Sequence, residues 1–396
     1  MPPAPAPRSE LRRLLRRPEV VVWCVFVLCI PFYVFPSGLP QPGDFLMLLL
    51  FPLSLWGWNG RLFGVFARPY RILLLFVLWV TIVQYSWAIV LGRWGLFGRT
   101  TFILVPVYYY FNALMLLVSL VLYQRHGSGF LRLTAWCLLA SIGVQVVGSF
   151  FTYYNPLRDR VFFNNPNQLG YYAVLAACAL ALLQRKLKLG QLVTACGILG
   201  CVYLGLISAS RSAAGGAAVI LVVSLVSNPR VVLASVPLIA GLLLTGPVSR
   251  AIDRTERRVK VDQFPHLSFL EERGWGRIQN NPQYVILGAG EGGTDRFGDE
   301  VIGTHEIHSS AGMIIFSYGL PGTCLFLWFA WRVVQGAQLG AVLMLAPIVA
   351  FSFAHHGLRD SMLWMVLAIF LSLKHARDPT PVGTIAARAQ AGSRMA

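Results

Sequence analysis

Residues 70–91 read YRILLLFVLWVTIVQYSWAIVL. Beyond Arg71 the run carries no charged side chain. Its length matches the roughly 20 residues that take an α-helix across the hydrocarbon of a bilayer. Similar apolar blocks recur along the chain, at 19–37, 43–60, 100–123, 130–153, 167–184, 190–208, 212–227, 230–248, 308–333, 336–353 and 360–374. One soluble core has no room for so many apolar segments of this length. Composition agrees: 12% of the 396 residues are charged, against about 25% in soluble domains. The expectation is an all-α polytopic integral membrane protein of about 12 transmembrane helices, with one large loop domain outside the bilayer.

The blocks divide the chain. Residues 1–18 form a basic N-terminus, 19–248 carry the first nine spans, and 249–307 form the loop domain. Residues 308–374 carry the last three spans, and 375–396 make an Ala/Gly/Pro-rich tail expected to be disordered. Arg8, Arg12, Arg13, Arg16 and Arg17 precede the first span and place the N-terminus in the cytoplasm by the positive-inside rule. No small-residue cleavage site follows that span, so it reads as a retained helix. Alternate loops then carry Arg61, Arg125, Arg185, Lys186, Arg230 and Arg332, and the tail is cytoplasmic as well.

The net charge of +17 does not form one surface stripe, which argues against nucleic acid as a partner. It does spill onto the outer side, as Arg93, Arg99, Arg158, Arg160, Arg211 and Arg359. Orientation does not require these residues. Arginine suits planar, two-pronged recognition of phosphate, and the alternative is pairing with nearby carboxylates. The cysteines lie in or beside apolar blocks without metal-ligand spacing and read as small buried hydrophobes.

Two stretches imitate soluble motifs. Gly288, Gly290 and Gly293 spell G-x-G-x-x-G, but no strand precedes them, so a flexible loop whose amides approach an anion is the better reading. His305-Glu306-Ile307-His308 has its histidines three apart, where a zinc helix needs four. His355 and His356 are adjacent, and on a helix only one would face a site.

Other positions carry more. Arg211 sits among small residues in SASRSAAGG (208–216), where a guanidinium is costly unless paired, facing a polar cavity, or snorkelling. Arg273 and Arg277 share a face if their segment is helical; an anion would bridge them, or they form a solvated basic face. His308 opens a span and has the titration range of a general base, or else serves a helix end. Asn164, Asn165, Asn167 and Gln168 form a polar mouth suited to sugar hydroxyls or to capping.

In order, FFNNPNQLGYY (162–172), SASRSAAGG, RGWGRIQNNP with LGAGEGG (273–293), and HSSAGMIIFSYGLPG (308–322) resemble the bacterial O-antigen ligase and O-antigen polymerase superfamily, closest to the ligases. The likeness spans roughly 160–330. The family's arginine after small residues corresponds to Arg211, and its loop arginine to Arg273 or Arg277. Its histidine opening the next span corresponds to His308, here followed by Ser309 where the family pattern has asparagine.

The resemblance implies glycan transfer at the periplasmic face of the inner membrane, without cofactor or metal. The donor would be a glycan on undecaprenyl diphosphate, the acceptor the lipid A–core, and membrane lipids the surroundings. A polymerase would instead extend lipid-linked repeats. A transporter or flippase would carry the anionic lipid without breaking a bond, but would hold its charges near the bilayer midplane. In the ligase reading, His308, Arg211, Arg277 and Arg273 are catalytic. Asn167, Glu306, Arg158, Arg160 and Arg359 bind or orient substrate, with Glu306 beside His308.

Overall fold

The computed structural model describes residues 7–36, 39–95, 101–152, 158–226, 268–298, 303 and 305–374. The expected ninth span at 230–248, most of the first half of the loop domain and the C-terminal tail lie outside the described residues. Among the described residues every regular element is helical.

Eight helices come first: α1 (Pro7–Leu14), α2 (Pro18–Cys29), α3 (Pro42–Leu55), α4 (Gly64–Leu91), α5 (Leu104–Gly148), α6 (Pro166–Leu187), α7 (Gln191–Ile207) and α8 (Arg211–Val226). The described part of the loop region holds three short turns of α-helix, α9 (Phe269–Glu272), α10 (Gly276–Asn280) and α11 (Tyr284–Leu287), and a 3-10 turn (Thr294–Arg296). Then come α12 (Ser310–Val334), α13 (Leu339–Ala354) and α14 (Ser361–Lys374).

Four helices, α4, α5, α6 and α12, are long and apolar enough to cross a membrane. α2, α3, α7 and α13 are shorter than the sequence blocks suggest. α2 has 12 residues, about 18 Å at 1.5 Å per residue, against a hydrocarbon core of about 30 Å. It stops where Pro31 removes the next amide donor. α5 joins two expected spans in one run of 45 residues. It breaks at Gly127, whose φ of 57° only glycine adopts readily. The outward faces of α3, α4 and α12 expose Leu48, Leu75, Ile89, Val90 and Leu327, as a lipid-facing surface would.

α6 is the hub. Ala173 to Leu183 are all buried, among them Ala176, Ala177 and Ala179. Small residues let neighbouring backbones approach closely, which is how helices associate in lipid. A methyl on Gly170 would come within 2.9 Å of the Ala213 Cβ, and one on Gly205 within 3.2 Å of the Ala214 backbone. Packing of α6, α7 and α8 therefore depends on these glycines.

The turns gather at two ends. At one end Gln124 donates to the Arg61 carbonyl at 2.9 Å, Arg125 to the Trp56 carbonyl and Lys374 to the Arg332 carbonyl at 2.8 Å. This is the basic end. At the other, Asn164 donates to the Phe35 carbonyl at 2.6 Å, Asp159 to the Ile207 carbonyl at 3.0 Å and Ser310 to the His355 carbonyl at 3.2 Å. The candidate site residues all belong to this second end.

Candidate functional site at the mouth of the bundle

Helix starts build the site. Asn165 caps α6, accepting the Asn167 amide at 2.7 Å, with Pro166 set in the first turn. Ser309 caps α12, accepting the Gly312 amide at 3.2 Å. The Ser310 hydroxyl donates to the His355 carbonyl at 3.1 Å and receives the Gly357 amide at 2.9 Å. These bonds fasten the start of α12 to the turn between α13 and α14. A cavity of about 590 Å³ opens between them, lined by Asn167, Arg273, His308, His356 and Arg359 among others. Tyr33, Tyr108 and Tyr171 add ring surface, and Leu39, Leu48 and Val107 form an apolar flank.

Arg273 and His308 arrive together, because the His308 amide donates to the Arg273 carbonyl at 3.1 Å. Arg273 lies 3.6 Å from Glu272, its neighbour in sequence. His308 is exposed overall. Even so, the protein packed around it and the Arg273 charge hold its pKa below the ordinary histidine value. A neutral imidazole beside a guanidinium can accept a proton while the cation stabilises nearby negative charge.

Arg359 also lines the cavity, but its charge is compensated. It pairs with Glu291, lies 3.2 Å from Glu306 and sits 5.5 Å over the Tyr108 ring. Glu291 has only 1% of its side chain exposed. It also receives the hydroxyls of Tyr109, at 2.5 Å, and Tyr318. Glu306 turns toward Arg359 and His356, 3.7 Å away, rather than toward His308 as expected. Burial alone would raise the Glu306 carboxyl; Arg359 and His356 outweigh it and hold it well below the usual carboxylate range.

The remaining site candidates separate. Arg277 is 2% exposed, donates to the Gly303 carbonyl at 3.0 Å, and lines a second, narrow cavity with Glu291 and Glu306. It does not share a face with Arg273, because Gly274, at φ 79°, breaks the chain between α9 and α10. Arg158 donates to the Ser208 carbonyl at 3.1 Å and to Asn167 at 2.5 Å, so it holds a lining residue without lining the cavity itself. Arg160 donates to the Asn164 carbonyl at 3.0 Å, away from the lining. Arg211 begins α8 beside this region, and its side chain lies outside the described residues.

Two further expectations change. The glycine-rich loop is buried rather than free: the Ala289 and Gly290 amides donate to the Phe316 and Ser317 carbonyls, at 2.9 Å each. Those amides are committed to α12, not to an anion. Both adjacent histidines line the cavity, since His355 is extended (φ −144°, ψ 154°) rather than helical.

Glu291 is the residue that sequence reasoning missed. It hides inside a glycine run that looks like a loop, and its partners stand 182, 27 and 68 residues away. The available signal is a lone carboxylate within small residues, which burial would oblige to find a cation. Neither the protein-family models nor the curated proteins yield a match to this chain.

Proposed function

We propose that the chain is an O-antigen ligase of the bacterial inner membrane. It would transfer a glycan from undecaprenyl diphosphate to the lipid A–core at the periplasmic face, without a metal. In this reading the bundle has about twelve spans, the basic end and both termini are cytoplasmic, and residues 249–307 are periplasmic. The observation that carries it is the convergence of Arg273, His308 and Asn167 on one cavity, at the end of the bundle away from Arg61, Arg125, Arg332 and Lys374.

The chemistry suits these groups. An acceptor hydroxyl gives its proton to the neutral His308 imidazole while its oxygen bonds to the anomeric carbon of the donor glycan. The bond from that carbon to the diphosphate oxygen breaks, and undecaprenyl diphosphate leaves with the electron pair. Arg273 stabilises the charge that grows on the leaving group, and Arg211, at the start of α8, is proposed to assist. Asn167, held by Arg158, presents polar atoms to sugar hydroxyls. Arg359 is bound to two carboxylates, so its part is to shape the wall more than to supply free positive charge.

The test is transfer in proteoliposomes from lipid-linked glycan to lipid A–core. His308→Ala should reduce the rate by about 10²–10⁴, and undiminished transfer would remove the base. A ladder of growing lipid-linked repeats would make the protein a polymerase. Lipid movement with no glycosidic product would make it a transporter.

A further inference from the structure

A further cavity lies at the basic end, away from His308. It measures about 480 Å³ and is bounded by the start of α4, the turn after α12 and the last residue of α14. Among the described residues, three cationic ones line it, Arg68, Arg332 and Lys374, and no carboxylate does. Among the described residues none of the three pairs with an acid. Lys374 donates to the Arg332 carbonyl at 2.8 Å, and Arg332 to the Gln335 side chain at 2.7 Å.

Helix dipoles explain part of this. Arg332 and Lys374 stand in the last turns of α12 and α14, where cations are favoured. Arg68 stands near the start of α4, where the dipole opposes a cation. Three like charges around one open space favour an anion within it. Gly64 and Val65, in the first turn of α4, line the same space, and no side chain caps that turn.

We propose that this cavity binds the phosphate headgroup of an anionic phospholipid. The lipid origin follows from the neighbouring surface. Trp331, 59% exposed, precedes Arg332, and Trp328 and Leu327 are exposed one turn further along α12. Tryptophans at that level mark a headgroup boundary, and the apolar flank of α12 continues from it as a track for acyl chains. Basic pockets between membrane helices hold anionic headgroups in this way. The inference does not depend on glycan transfer.

Native mass spectrometry of the full-length protein in detergent tests it, with phosphatidylglycerol, phosphatidylcholine or inorganic phosphate added. The wild type should retain phosphatidylglycerol selectively. Neutralising one cation with Arg68→Gln should weaken retention about fivefold, and the triple Arg68→Gln/Arg332→Gln/Lys374→Gln about a hundredfold. Arg16→Gln/Arg61→Gln, outside the cavity lining, should leave it unchanged. Equal loss in both sets would reduce the effect to general surface attraction and overturn the site. Equal retention of phosphatidylcholine, or phosphate binding as tightly as the lipid, would also overturn it. Should the triple variant fail to fold, Arg68→Gln alone decides, because Arg68 is exposed.

Discussion

The His308 amide donates to the Arg273 carbonyl at 3.1 Å, so imidazole and guanidinium enter the cavity from one junction between the loop region and α12. The bond fixes their backbones relative to each other whatever the substrate does. It also makes the charge of one residue a determinant of the other's protonation.

That coupling predicts a pH effect. Burial and the Arg273 charge lower the His308 pKa. A base works when deprotonated, so the rate should fall only as pH drops below that lowered value. Arg273→Gln removes a positive neighbour, and the His308 pKa should rise toward its ordinary value. The acid limb of the pH–rate profile should then move to higher pH, besides any loss of maximal rate. A limb that stays in place in the variant would mean that some other group is the titrating base.

Glu291 should matter for stability. It is almost wholly enclosed and balances Arg359 while receiving two tyrosine hydroxyls. Removing one partner of a buried ion pair costs about 3–5 kcal/mol, because the other charge is left behind. Glu306 still faces Arg359 at 3.2 Å, so Glu291→Ala should fall at the lower end, about 3 kcal/mol. Glu291→Ala/Arg359→Ala should recover part of the loss. Denaturant unfolding in detergent reads both, and a single-variant loss below about 1 kcal/mol would deny the pair this role.

The glycine loop gives a steric prediction. Gly288 has φ 99°, and a methyl there would meet the Ser317 carbonyl oxygen at 2.4 Å. Gly288→Ala should lower stability by at least about 1–3 kcal/mol, the usual cost of such backbone strain. Gly298→Ala, with no atom of the described residues within 4 Å of the added methyl, should be neutral or slightly stabilising. Thermal unfolding of the two variants side by side checks the contrast. Equal melting would mean that the loop does not insert against α12.

How far the sequence discloses this arrangement depends on the range of each interaction. The apolar blocks at 70–91 and 308–333 are legible because the hydrocarbon thickness sets their length locally. Gly127 marks the break in α5 just where basic residues interrupt the apolar run. Asn165 and Ser309 announce helix starts by their own capping chemistry. The same-face reading of Arg273 and Arg277 fails through a single left-handed residue, Gly274, which periodicity does not register. Glu291 and His356 are illegible for another reason: their partners come from distant elements, and only packing brings them together.

The two loop arginines can now be told apart by experiment. Arg273 lines the large cavity, so Arg273→Ala should fold normally and lose about 10²–10³ in transfer rate, the usual effect of removing one charge-stabilising donor. Arg277 is enclosed and donates to the Gly303 carbonyl. Arg277→Ala removes that charged hydrogen bond, costing about 1.5–3 kcal/mol, and opens space between Glu291 and Glu306. Its defect should therefore appear first as a lower unfolding midpoint, with activity lost in proportion to the folded fraction. Transfer rates and melting curves for both variants separate the roles. If Arg277→Ala is stable but inactive while Arg273→Ala works, the narrow cavity rather than the wide one holds the leaving group.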